Sequence, residues 1–556
     1  MTSRGPSRGK APVRFPQWPQ VVCLARPVLL LCLAGTGAAI ASAGEGALQD
    51  CHVPGIRNGV LCATLPRPLD PARPEGPKIE LRYVVLPAMA RRKLADPVFL
   101  IAGGPGQSAV ALAAAVTPLL ARLNNRRDLV FVDQRGTGGS APLQCQEPEH
   151  ETLAQQAEPE RQVRLTQECK TQLRRLPYIR ADADLGFFTT PIAALDLDAV
   201  RRELGAERIN LVSFSYGTRV ALEYQRQFPQ AVRRMVLDGV APADMALPAS
   251  FSLDNQQALD SLLAACAADA ACTRNHPDLR ARFLGLLESL PRRATAAHAL
   301  SGRQESFVLT RDMVLGAVRN ALYSPPLASA LPRALDDASR GDLAGLIGLT
   351  ATFVSRKATR LAAGMHLSVV CAEDAPRMAA SIDKPGPEFG SQYAALYERL
   401  CAEWPRGAVP PAFYTLRASE VPVLLLSGGI DPATPPRHGE RVARALGPLA
   451  RHIVVANAGH GVMGIGCMRD VVFRFLDASG NADALAVDGA CAAHVPRPLA
   501  FQPVGAASPA VPAEKAARPP TTPAPIPTPA AAPASAPVVG SRAALVAGES
   551  ASAAQR

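Results

Sequence analysis

Residues 209–218 constrain the fold more than any other stretch of this chain. A strand-like run, Ile209-Asn210-Leu211-Val212, is cut by Ser213-Phe214-Ser215-Tyr216-Gly217 and gives way to helical spacing, with Val220, Tyr224 and Phe228 at fourfold intervals. The spacing predicts a helix over 218–228 that packs behind the turn. Small residues two places either side of Ser215 leave no Cβ bulk where a strand must turn at once into a helix. The central serine is thereby forced into a strained, exposed position at the top of a sheet. The pattern reads Ser-x-Ser-x-Gly, with Ser213 where glycine is usual. Taken alone, the run also suits a serine-rich strand end.

Three other segments bear on the choice. Upstream, Pro97-Val98-Phe99-Leu100-Ile101 reads as a short buried strand running into Ala102-Gly103-Gly104-Pro105-Gly106-Gln107. Glycines there let backbone N–H groups approach a ligand oxygen. An acyl-transfer site needs two such donors aimed at the oxyanion, and the amide after the nucleophile, that of Tyr216, is the other natural donor. A plain Gly/Pro turn is the alternative reading. Downstream, the apolar run Val421-Pro422-Val423-Leu424-Leu425-Leu426 empties into Ser427-Gly428-Gly429-Ile430-Asp431-Pro432, so Asp431 stands at a strand's carboxyl end. In an open α/β sheet that edge is where sites are built, and a carboxylate there can hold an imidazole in its working tautomer. Asp238, after Met235-Val236-Leu237, is a rival acid with no loop long enough to reach a histidine. Finally, His460 follows the strand His452-Ile453-Val454-Val455 by one short loop and is flanked by Gly459 and Gly461. The other histidines, at 52, 150, 276, 298, 366, 438, 452 and 494, have no comparable setting. A serine is a poor nucleophile until a base takes its proton, and the position of His460 suits that base.

The order Ser215, Asp431, His460 is that of α/β-hydrolases rather than of chymotrypsin-like or subtilisin-like enzymes. With GGPG at 103–106, VDQRGTGGS at 132–140, SFSYGT at 213–218, GGIDPATP at 428–435 and AGHG at 458–461, the chain resembles the α/β-hydrolases of the proline iminopeptidase and tripeptidyl aminopeptidase group. The likeness spans roughly residues 50–500 and includes a C-terminal part similar to that group's tripeptidyl-aminopeptidase-like segment. It implies a mostly parallel central sheet flanked by helices and a serine exopeptidase acting at peptide N-termini without a cofactor. By the same resemblance, Ser215, Asp431 and His460 are catalytic and Gly104 and Tyr216 form the oxyanion hole. Two departures stand out: Ala102 where proline iminopeptidases usually have histidine, and Ser213 for glycine, both of which would alter the rim of the site.

Residues 1–26 carry Arg4, Arg8, Lys10, Arg14 and Arg26 and no acid, and precede an apolar run at 28–40 and the small-residue site Ala41-Ser42-Ala43. This predicts a secretory signal over 1–43, its apolar run too short for a comfortable membrane span. The ten remaining cysteines cluster as Cys51 with Cys62, Cys145 with Cys169, Cys266 with Cys272, Cys371 with Cys401 and Cys467 with Cys491, never more than 30 residues apart within a pair and at least 66 between pairs. Five local disulfides and an oxidising compartment, secreted or periplasmic, follow. No C-x-x-C or H-E-x-x-H gathers metal ligands. The formal charge of +11 shrinks once the leader's cations and the tail's surplus are set aside, and no basic stripe interleaved with aromatics argues for nucleic acid.

Between Asp238 and Val421 lies far more chain than a connection needs. Residues 44–240 and 416–502 are therefore expected to form the hydrolase core, and 241–415 a mainly helical cap, with helical spacing at Leu259, Leu262, Leu263 and Cys266 and at Met313, Val314, Ala317 and Leu322. Residues 503–556, dominated by Pro, Ala, Ser and Thr, suit a disordered tail. Glu373 and Asp374, beside Cys371, are read two ways: tethered carboxylates that hold a substrate ammonium, or a solvated acidic loop. Asp133-Gln134-Arg135-Gly136 is expected to be a structural turn tied together by Arg135. A peptide is the expected partner. A carboxylic-ester or amide hydrolase on the same machinery, and a catalytically silent binding protein of the same fold, are the alternatives; oligomeric state is open.

Overall fold

The computed structural model describes residues 48–501 apart from 147, 149, 150 and 355–360, with the side chains of 351–354 also left out; the expected signal and tail lie outside the described residues. The chain opens with three antiparallel strands, β1 (Gln49–Cys51), β2 (Val60–Pro68) and β3 (Lys78–Leu86). Next come β4 (Val98–Ile101), β5 (Leu129–Val132), β6 (Ile209–Phe214) and β7 (Val232–Asp238). A hairpin of β8 (Arg292–Ala297) and β9 (Gln304–Leu309) stands apart, and β10 (Val423–Gly428) and β11 (Ala450–Val455) complete a nine-stranded sheet ordered β1-β2-β3-β5-β4-β6-β7-β10-β11. β3 meets β5 antiparallel; every pairing from β5 to β11 is parallel. This is the expected mostly parallel sheet.

Burial explains which strands were legible. β4, β5 and β10 are buried at every residue, as strands covered on both faces must be; β4 and β5 are unbroken apolar runs, and β10 is one up to Leu426. Alternate residues feed two cores: Phe99, Leu211, Leu237 and Leu425 on one face, Leu100, Val212, Val236 and Leu426 on the other. β2 is half-exposed at many positions and contains Pro66, and the first half of β3 alternates buried with exposed or half-buried residues, so neither reads as an unbroken apolar run.

A third core lies in the insertion, among the helices Leu247–Ala268, Leu279–Glu288, Arg311–Leu322 and Leu331–Ser339. The insertion is mainly helical, as expected, with β8 and β9 pairing antiparallel within it. Leu153, from outside 241–415, packs into its core, and the Leu153 N–H donates to Glu305 at 2.7 Å. Disulfides join Cys51–Cys62, Cys145–Cys169, Cys266–Cys272, Cys371–Cys401 and Cys467–Cys491. Arg135 is fully buried, held by Asp196 and by the carbonyls of Leu69 and Phe187. Among the described residues no helix is long and apolar enough to cross a membrane, and no group of three or more His, Cys, Asp or Glu could hold a metal.

Candidate active site

Ser215 links β6 directly to the helix Tyr216–Gln227 and adopts φ 53°, ψ −127°. That region is unfavourable for any residue with a Cβ, by about 1–3 kcal/mol, and persists only when surroundings over-determine it. Here the Ser215 N–H donates to the Asp238 carbonyl at 2.8 Å, while the Ser215 carbonyl accepts from the Thr218 N–H at 2.9 Å and its hydroxyl at 2.6 Å. Glycine is required at 217, where a Cβ would lie 2.6 Å from the carbonyl oxygens of Ile101 and Ala102. Gly103 presses on the serine itself, its missing Cβ position 3.1 Å from Ser215 Cβ. Ser213 does not reach the rim: it is fully buried, and its hydroxyl donates to the Val236 carbonyl at 3.0 Å inside the sheet. The hydroxyl that departs from the glycine pattern is thus absorbed by the neighbouring strand.

Asp431 is buried at the carboxyl end of β10 and receives His460 Nδ1 at 2.8 Å. It also accepts from the Thr434 hydroxyl at 2.8 Å and from the N–H groups of Ala433 and Thr434 at 2.8 and 3.0 Å. Burial works to raise the Asp431 pKa, but the His460 charge, its hydrogen bond and the two amides outweigh that and hold it below the usual carboxylate range. Burial depresses His460, and the Asp431 carboxylate more than compensates, so the ring titrates above its ordinary value. A proton on Nδ1, fixed by Asp431, leaves Nε2 as the acceptor.

The rival acid Asp238 has another task. Its carboxylate accepts from the N–H groups of Val462, at 2.9 and 3.0 Å, and Met463, at 2.8 Å, and makes no bond to the ring among the described residues. Burial pushes its pKa up to about 6, against the pull of those amides. One residue therefore ties the Ser215 backbone, through its carbonyl, to the loop that carries His460. Gly239, next in the chain, lies under the imidazole, its missing Cβ position 3.3 Å from His460 Cε1. The Ser215 hydroxyl is not hydrogen-bonded to His460 among the described residues; such contacts are often long before substrate binds. The N–H groups of Gly104 and Tyr216 have no protein acceptor among the described residues, and Tyr216, first in its helix, has none to expect within it.

Glu373 and Asp374 are where sequence reasoning went astray. Both are fully buried, so neither a solvated loop nor a carboxylate facing the cleft describes them. Asp374 takes a bidentate pair from Arg219, both bonds at 3.1 Å, and also accepts from the Leu247 N–H. Glu373 accepts from Arg219, from the Thr190 N–H at 2.7 Å and from the Thr190 hydroxyl at 3.0 Å, and that hydroxyl in turn lies 2.6 Å from the Tyr216 phenol oxygen. Burial lifts Glu373 to about 7. The acids dock the insertion onto the helix behind Ser215. Residues that the sequence did not single out also line the site. Thr434 bridges Asp431 and His460, and its place three residues after the acid was the available signal. Tyr323, from the cap, sets its ring edge-on to His460 at 5.1 Å and accepts the His460 N–H at its carbonyl.

The family described as alpha/beta hydrolase fold matches residues 96–274, and that described as TAP-like protein matches 386–491. A carboxylesterase B of Mycobacterium tuberculosis is 30% identical over 424 residues, 69% of this chain and 78% of that protein. The chain belongs to the TAP-like α/β hydrolases. Also similar to this α/β hydrolase are the serine protease Hip1 of Mycobacterium tuberculosis, 29% identical over 70% of this chain and 80% of its own length. A tripeptidyl aminopeptidase of Streptomyces lividans is 27% identical over 83% and 90% respectively.

Proposed function

We propose that this α/β hydrolase is a serine peptidase that cleaves peptides near a free N-terminus through an acyl-enzyme on Ser215. The observation that carries the reading is the 2.8 Å His460–Asp431 bond at the sheet edge where Ser215 is held in a strained turn. His460 Nε2 takes the Ser215 proton as the hydroxyl attacks the scissile carbonyl, and Asp431 stabilises the resulting imidazolium. The oxyanion is received by the N–H groups of Gly104 and Tyr216, each donor worth roughly 3–4 kcal/mol in such sites. His460 then gives its proton to the leaving amine, and water attacks the acyl-enzyme by the same relay. The peptidase and aminopeptidase names of two similar proteins support peptide substrates. The five local disulfides and the leader composition support export to an oxidising compartment.

A second reading, hydrolysis of carboxylic esters, is favoured by the name of the 30% identical carboxylesterase. Free and N-blocked chromogenic peptides separate the two. Blocking is expected to abolish turnover, whereas equal turnover of blocked and free peptides, or of simple esters alone, removes the aminopeptidase reading. Labelling by a fluorophosphonate, lost in Ser215→Ala, tests the nucleophile itself; N-terminal sequencing of secreted material tests cleavage after residue 43.

A further inference from the structure

A continuous set of contacts links the glycine loop to His460. The Pro105 carbonyl lies 3.3 Å from His366 Nδ1, His366 Nε2 lies 2.6 Å from the Tyr397 phenol oxygen, and the Tyr397 and Tyr393 rings stand 5.2 Å apart. Over the Tyr393 ring, 4.9 Å from its centroid, sits the guanidinium of Arg319. Four residues on, one helical turn or about 6 Å along the axis, Tyr323 packs edge-on against His460. Both ends of this arch are walls of the active site, and Arg319 stands at its middle. Arg319, Tyr323, Tyr393 and His366 are each half-buried, so they line space that solvent reaches rather than a sealed core.

The arginine differs from the other enclosed arginines in its partners. Arg135 faces Asp196, Arg219 faces Asp374 and Glu373, Arg437 faces Asp254 and Asp383, and Arg234 donates from Nη1 to the carbonyls of Phe475, Leu476 and Ala478. Among the described residues Arg319 pairs with no carboxylate; its neighbours are the tyrosines. Besides stacking, the guanidinium hydrogen-bonds the Tyr393 side chain; with five N–H donors on its edge, others remain for a further acceptor. A half-buried cation without a counter-charge can still take a carboxylate from a bound molecule, in a charge-assisted hydrogen bond. The nearby acids are already occupied: Asp254 by Arg437 and His438, Asp431 by His460.

We propose that Arg319 is a substrate-recognition residue that binds a carboxylate of the peptide being cleaved, either an acidic side chain or a free terminal carboxylate. The proposal rests on the serine-hydrolase reading above and names the substrate class for that site. A charge-assisted, bidentate contact of this kind is worth about 10- to 100-fold in kcat/KM.

The test compares matched fluorogenic peptides with free N-termini: Glu against Gln at each of the three positions before the scissile bond, and a free C-terminal acid against its amide. The wild-type enzyme is expected to prefer one acidic member by at least about 10-fold. Arg319→Gln is expected to collapse that ratio, and Arg319→Lys to keep part of it. A preference confined to one Glu/Gln pair assigns the side chain, and one confined to the acid/amide pair assigns the terminal carboxylate. Equal turnover of all pairs by the wild type, or an unchanged ratio in Arg319→Gln, overturns the proposal. Should Arg319→Gln not fold, the wild-type ratios and the Lys variant still decide it. Fluorophosphonate labelling of Ser215 is read in parallel, so an enzyme that labels but shows no acidic preference loses this subsite and keeps the hydrolase reading.

Discussion

In the proposed mechanism His460 must be neutral at Nε2 to accept the Ser215 proton, so kcat/KM should rise with pH through the ring's pKa. The Asp431 carboxylate holds that pKa above the ordinary value of about 6.5, and the acid limb is expected to lie above it. Replacing the carboxylate by Asp431→Asn removes the dominant raising influence and allows the wrong tautomer. The limb should then move to lower pH and kcat should fall by roughly 10³- to 10⁴-fold; a limb that stays in place would show that Asp431 does not face the working imidazole. At this scale the sequence was informative for residues whose role is set by their own neighbours. Ser215 announces itself through Gly217, and His460 through its two glycines. Arg319 has no such signature, because an arginine at helical spacing looks the same whether or not a carboxylate waits opposite.

The strand-turn-helix element depends on backbone proximity more than on side-chain chemistry. A methyl group at residue 217 would meet two carbonyl oxygens at 2.6 Å, so Gly217→Ala should cost about 1–3 kcal/mol and misplace Tyr216, visible as a lowered Tm with loss of fluorophosphonate labelling. Behind the same helix, Arg219 balances only one of the two carboxylates at 373 and 374. Glu373 takes up its proton near pH 7 in the fold and near the ordinary carboxylate value when unfolded, so between those values the native state binds the extra proton and stability falls as pH rises. Glu373→Gln mimics the protonated form. Its Tm is expected to change less than the wild type's between pH 5 and pH 8; parallel curves would show that Glu373 is not the titrating group. This element was half legible: the β6 turn was read from its small residues, while the destination of Glu373 and Asp374 depended on Arg219 and Thr190, more than 150 positions away.

For the whole molecule, each disulfide closes a short loop and none spans the junction of sheet and cap. The Cys371–Cys401 bridge, 30 residues apart, braces the segment that carries the Arg219 partners. By loop entropy it contributes about 3–4 kcal/mol, and the double Cys371→Ser, Cys401→Ser variant should melt several degrees lower, with cap docking the first structure lost by hydrogen exchange. Unchanged exchange at residues 363–380 would show that Arg219 alone secures the cap.

What the sequence determined by itself was whatever short-range sterics and periodicity dictate. The apolar parallel strands, the strained serine, and the order of nucleophile, acid and base each depend on residues within a few positions. The same holds for the cysteine pairs, since a bridge between near neighbours shows in spacing alone. Only the tertiary structure decided which carboxylates are spent on internal pairing and which cation is left without one. Charge balance in a cleft is a sum over partners from distant segments, and no local pattern records it.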